Sequence, residues 1–182
     1  MTISLNAAPV AFVVTGDPDS RELRHCWQAV LARRGAPVLV GRGRTGGPAD
    51  VYLPWALAAD YCGLVLIRAA DSGDEPVAAA TARFVRGFFE LGLPVAASSH
   101  ATLALAAPEL VRGRTIAAPV SAGPRLAAAG AVLSDRRVVR CEAGSGDLIS
   151  STSAADLPAF CAAFTLAFSD RLAARTGAGL GS

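Results

Sequence analysis

The stretch VAASSHATLALA, Val95 to Ala106, decides how this chain reads. An apolar run stops at Ser98-Ser99-His100, and an alanine- and leucine-rich helical pattern follows directly. A strand that turns sharply into a helix, with a reactive side chain at the corner, is how many α/β enzymes present a nucleophile. The same residues also suit a serine that only caps a helix, because its hydroxyl accepts from the free N–H groups of a first turn.

Upstream of the corner the chain alternates strand and helix. AFVVT, Ala11 to Thr15, is a β-branched run stopped by GDPDS. The spacing then predicts a helix from about Ser20 to Arg34, with Leu23, Trp27, Val30 and Leu31 on one stripe and Gly35 as its stop. PVLV, Pro37 to Val40, is a second strand, so the opening unit is β-α-β and requires a parallel sheet. GLVLIR, Gly63 to Arg68, is apolar enough for a strand covered on both faces. EPVAAATARFVRGFFELG places Val77, Thr81, Phe84, Val85, Phe88 and Phe89 on one helical face.

Downstream, GRTIAAP reads as a strand and SAGPRLAAAGA as a short helix ended by glycine. RRVVRCEAGSGDLISST has two β-rich arms around a Gly-rich turn, the pattern of a hairpin. DLPAFCAAFTLAFSDRLAAR is a closing helix, with Asp156 as cap and Pro158 in its first turn, where the missing N–H costs nothing. The expected fold is α/β: a single doubly wound, mostly parallel sheet with helices on both faces. One domain over residues 1–182 accounts for the chain, with 1–9 and 176–182 frayed.

Composition narrows the function classes. Hydrophobic residues make up 52% of the 182, which excludes general disorder. No eighteen apolar residues run uninterrupted, so a soluble, cytoplasmic protein with no membrane partner is expected. The net charge of +2 comes from scattered arginines, and the cluster GRGRTGG, Arg42 to Gly47, is too small a patch to predict nucleic-acid binding. The four cysteines, Cys26, Cys62, Cys141 and Cys161, lack metal-ligand spacing and read as buried, reduced packing residues. No metal and no cofactor is implied.

From GLVLIR to the closing helix the chain resembles the PfpI-like intracellular protease/amidase family of the ThiJ/PfpI superfamily. The residues that carry the likeness are LGLPVAASSHA at 91–101, VRGRTIAA at 111–118, AAAGAVLSDRRVV at 127–139 and LISSTSAADLPAFCAAF at 148–164. The resemblance implies a flavodoxin-like three-layer sandwich of the class I glutamine amidotransferase-like kind, and a homodimer paired through the face around the site. It also implies that the nucleophilic cysteine of the family is Ser99 here, followed by His100 and by Ala101 where the family has glycine. The family's Pro-Gly-Gly, which helps form an oxyanion site, corresponds to Ile67-Arg68-Ala69. The family's first-helix glutamate, which hydrogen-bonds the cysteine, falls at Leu23, one residue from Glu22.

Two functions from different classes follow. In the first, Ser99 is a nucleophile and His100 its base, with Glu22 or Arg68 assisting, in hydrolase- or lyase-like chemistry on a small molecule. In the second, the chain keeps the scaffold and serves as a binding, regulatory or structural homodimer. Arg68, at the carboxyl end of its strand, pairs with an acid such as Glu22 or binds an anionic ligand in a bidentate fork. Asp17 and Asp19 fall at the same end, as ligand contacts or as helix caps. His25, one turn from Glu22, faces either the same site or solvent. Thiolate-dependent protease, glyoxalase and deglycase activities are not expected of a serine.

Overall fold

Strands form where β-branched and apolar residues run without a polar break, because both faces of such a strand are covered by helices. The computed structural model describes residues 4–14, 21–41, 50–67 and 75–178. Its strands are β1 (Pro9–Val14), β2 (Ala36–Gly41), β3 (Val51–Tyr52), β4 (Gly63–Ile67), β5 (Val95–Ser98), β6 (Thr115–Ala117), β7 (Val132–Ser134), β8 (Val138–Cys141) and β9 (Leu148–Ser151). The helices are α1 (Arg21–Ala32), α2 (Glu75–Glu90), α3 (Pro108–Val111), α4 (Gly123–Ala128) and α5 (Leu157–Ala178).

Seven strands form one sheet in the order β3-β2-β1-β4-β5-β9-β8, parallel except for the antiparallel β8–β9 pair. The mostly parallel α/β sandwich read from the sequence is therefore the observed one. β6 and β7 pair with each other in a separate two-stranded parallel ribbon that packs over β8 and β9. Strand order reverses between β1 and β4, and at such switch points open α/β sheets bind ligands beyond their carboxyl ends.

Each face of the sheet has its own core. Against one lie α1 and α5, burying Phe12, Val65, Ile67, Ala96 and Ile149 with Phe160, Phe164 and Phe168 of α5. Each fully buried phenylalanine contributes about 1.5–3 kcal/mol relative to exposure. The other face carries α2, α3, α4 and the ribbon over Val13, Leu64, Leu66, Val95 and Ala97. Gly63 is required where β4 passes α5, since a Cβ there would stand 2.7 Å from the Phe168 ring. α5 overlaps the one segment among the described residues, Ala154–Thr176, long and apolar enough by composition to cross a membrane. Its phenylalanine face, Phe160, Phe164 and Phe168, lies against the sheet.

Several local expectations are corrected. The α1 stripe runs through Leu23, Cys26 and Val30 beside a half-buried Trp27, and Leu31 is 45% exposed because it sits about 100° round the helix from Val30. The opening residues are not frayed from Ser4 on: Leu5 is fully buried, and its N–H bonds the Arg33 carbonyl at 2.7 Å. At the other end α5 extends to Ala178, beyond the expected frayed boundary. Asp156 does not cap α5 through a main-chain N–H; its carboxylate accepts from the Thr152 and Ser153 hydroxyls at 2.8 and 3.0 Å. Ser153 caps the 3-10 turn Ala154–Asp156 that leads into α5, accepting from the Ala155 N–H.

Gly113-Arg114 serves the fold. The buried Arg114 guanidinium donates to the Ser145 and Gly146 carbonyls, each at 2.8 Å, and lies 4.1 Å over the Phe89 ring. Burial pushes its pKa below the usual arginine value. It closes the Gly-rich turn of the β8–β9 hairpin from inside.

Candidate active site

β5 follows α2, and its side chains alternate between the two cores. Ala96 points to the α1/α5 core and Ala97 to the opposite one, so Ser98 returns to the α1 side. There Ser98 Oγ donates to Glu22 Oε1 at 2.8 Å, a buried bond from the end of β5 to the first turn of α1. Glu22 is thus 7% exposed with its carboxylate partnered.

Ser99 leaves the strand. Its φ is +50°, a left-handed conformation that costs a non-glycine residue about 1–3 kcal/mol and persists only where its surroundings impose it. Three contacts impose it here. Ser98 is anchored to Glu22, Ser98 pairs with Ser151 in the sheet register, and the Thr102 hydroxyl donates to the Ser99 carbonyl at 2.7 Å. No side-chain cap bond is made at this turn, so the capping role is not what these serines do. The corner is a strained elbow.

The segment after it is a 3-10 helix, Ser99–Leu105, rather than the α-helix that the alanine and leucine pattern suggested. Pro108 offers no N–H, so a helix begun at the elbow could not have run on unbroken through it. The chain breaks at Ala106–Ala107 and restarts as the one-turn α3.

Ser99 is half-buried and His100 exposed. Ser99 Oγ stands 3.4 Å from His100 Nδ1, and His100 Nε2 stands 3.0 Å from Ser121 Oγ. The first contact is long, as nucleophile–base contacts often are before a substrate tightens them. The second fixes the ring. If Nε2 carries the proton and donates to Ser121, Nδ1 is left as the acceptor a base requires.

The other expected residues distribute unevenly. Glu22 is at the site but reaches Ser98; no hydrogen bond joins it to Ser99. Ala101 is 1% exposed and packs into the α2-side core, so its side chain faces away from solvent. His25 is exposed on α1. Arg68, Ala69 and Asp17, with Asp19 and the Arg42–Gly47 cluster, lie outside the described residues. Ser98, Thr102 and Ser121 were not expected. Ser121 had no signal in the sequence, because tertiary packing rather than spacing brings it to His100. Among the described residues no group of three or more His, Cys, Asp or Glu side chains is placed to hold a metal ion. All four cysteines are buried and free.

Residues 48–166, well over half of the chain, match the DJ-1/PfpI family. A curated relative from Archaeoglobus fulgidus, an uncharacterized protein, is 35% identical over 102 residues, covering 56% of this chain and 58% of its own. A two-domain structure from Anabaena variabilis, containing DJ-1/ThiJ/PfpI-like and ferritin-like domains, is 25% identical with a TM-score of 0.71. That match covers 86% of this chain and 48% of the other, so the chain spans about half to three fifths of these relatives. Two further structures share the fold. One is a ThiJ/PfpI domain protein from Brachyspira murdochii, with TM-score 0.73, 12% identity, and 89% of this chain and 96% of that one covered. The other is Drosophila melanogaster DJ-1beta, with TM-score 0.68, 16% identity, and 97% and 99% covered.

Proposed function

Because the chain belongs to the DJ-1/PfpI family, we propose that it acts on a small molecule through Ser99, with His100 as general base, in place of thiolate chemistry. The observation that carries this is the left-handed Ser99 at the carboxyl end of β5, φ +50°, with His100 Nδ1 beside its hydroxyl. In this reaction Ser99 Oγ bonds to a substrate carbonyl carbon and its proton passes to His100 Nδ1. The same proton then goes to the leaving group as the tetrahedral intermediate collapses, and water repeats the sequence to free Ser99. Ser121 holds the imidazole in the tautomer that accepts. A preference for anionic substrates would come from Arg68, next after β4 in sequence.

The test is covalent labelling. A small fluorophosphonate should add to Ser99 in the native protein, seen as a mass increase mapped to its peptide, and Ser99→Ala should abolish it. Methylglyoxal should not be turned over. Absence of labelling and of hydrolysis across small ester and amide substrates would refute the proposal.

A second reading rests on the Glu22–Ser98 bond. With the first-helix carboxylate engaged one residue before the elbow, the same scaffold suits a binding or regulatory homodimer. In that case small anions should shift the melting temperature while Ser99 stays unlabelled, and sedimentation should show a dimer at micromolar concentration.

A further inference from the structure

Two thiols meet in the core that α1 and α5 share. Cys26 and Cys161 are 135 positions apart in sequence, yet their Sγ atoms stand 3.7 Å apart. Their helices pack against one another, so the contact is held by the same aromatic core that seats α5 on the sheet. Disulfide formation needs the two sulfurs to close to about 2.05 Å. From the observed contact that is a movement of under about 2 Å, within the reach of side-chain rotation and a small helix shift. The other two cysteines are arranged differently: Cys141 accepts the Thr115 N–H at 3.2 Å, and Cys62 lies in the turn ahead of β4.

We propose that Cys26 and Cys161 form an oxidisable dithiol, which peroxide converts to a disulfide linking α1 to α5. Contact with the Cys161 sulfur, burial and the nearby Glu22 carboxylate all keep Cys26 protonated. Cys161, 5% exposed against 0% for Cys26, is therefore the thiol that meets the oxidant. Its sulfur attacks one peroxide oxygen, the O–O bond breaks, and a sulfenic acid and one water result. Cys26 Sγ then attacks that sulfur while its proton passes to the departing hydroxyl, forming the S–S bond and releasing the oxygen as a second water. Two thiols and one hydrogen peroxide give one disulfide and two waters, the sulfurs losing the two electrons that reduce the O–O bond. The bond would form one turn beyond Glu22 on the buried face of α1, directly behind the residue that holds Ser98. Its formation does not depend on whether Ser99 reacts.

The experiment treats the folded full chain with hydrogen peroxide, alkylates it under denaturing conditions and maps the peptides without reduction. The expected result is two thiols lost of four, a linked Cys26–Cys161 peptide, and a melting temperature raised on the order of 5–10 °C. Dithiothreitol should reverse all three. Cys26→Ser, oxidised in parallel, should lose both the linkage and the rise. Four alkylatable thiols after oxidation, a different pairing, or a rise that persists in Cys26→Ser would overturn the proposal, and the native-chain mapping decides it even if the variant misfolds.

Discussion

Glu22 Oε1 accepts a 2.8 Å hydrogen bond from Ser98 Oγ, tying the first turn of α1 to the last residue of β5 inside the protein. The bond follows from strand parity. Side chains two apart on β5 share a face, so Ser98 and not Ser99 is turned towards α1. It fixes the residue before the elbow and leaves the elbow hydroxyl to His100.

Ser98→Ala should therefore destabilise the fold by about 2–3 kcal/mol, since it removes the hydroxyl that a buried carboxylate accepts from. Glu22→Gln, which retains an acceptor at the same place, should cost less, about 1 kcal/mol. Urea denaturation midpoints for both variants check this, and a neutral Ser98→Ala would show that the bond is idle.

At Ser99 stability and reactivity should separate. Ser99→Gly relieves the left-handed φ of +50° and should stabilise the protein by about 1 kcal/mol while abolishing phosphonate labelling. A destabilised Ser99→Gly protein would mean that the elbow is not strained.

Ser121→Ala should slow labelling of Ser99 on the order of 10-fold without changing the melting temperature measurably, because only the ring contact is lost. Nitrogen-resolved NMR of His100 supplies the second readout. The Nε2–H tautomer should dominate in the native chain and lose its predominance in the variant.

Stability should fall as pH rises from about 9 to about 11. Burial pushes the Cys62 thiol up to about 11 from an ordinary value near 9, so across that window the unfolded chain has lost a proton that the folded chain keeps. The contribution is fully present below pH 9 and lost as pH passes 11. Burial likewise raises Tyr61, and the contact with Cys161 raises Cys26, which adds to the same alkaline loss. Cys62→Ala should flatten part of the slope in denaturation midpoints taken at pH 8 to 11.

The sheet was legible because its strands are buried on both faces and read as unbroken apolar runs, as in GLVLIR and LPVAAS. The elbow was legible because Ser98-Ser99-His100 interrupts such a run at a strand end. Three features were not. Whether Glu22 serves Ser98 or Ser99 turns on one residue of strand parity, which β5's exact end decides. The 3-10 form of Ser99–Leu105 is not distinguished from an α-helix by its alanine and leucine pattern. Ser121 reaches His100 only because the β6–β7 ribbon folds back over β8 and β9, a tertiary contact with no local spelling.

The Ser98–Ser151 register has a consequence for the order of folding. β5 is flanked by β4, which precedes it, and by β9, which follows only after α3, α4, the ribbon and β8 have been threaded. Closing so long a loop is slow compared with forming the early β-α-β units. An intermediate holding β1, β2, β4 and β5 would lack the Ser98–Ser151 register, one of the three constraints on Ser99, and the elbow should be fully fixed only when β9 docks. In pulsed hydrogen exchange the Val95 and Ala97 amides, which face β9, should gain protection together with those of β9, after α2 is already protected. Reactivity at Ser99 would then be a property of the completed chain, absent from every partly folded form that precedes it.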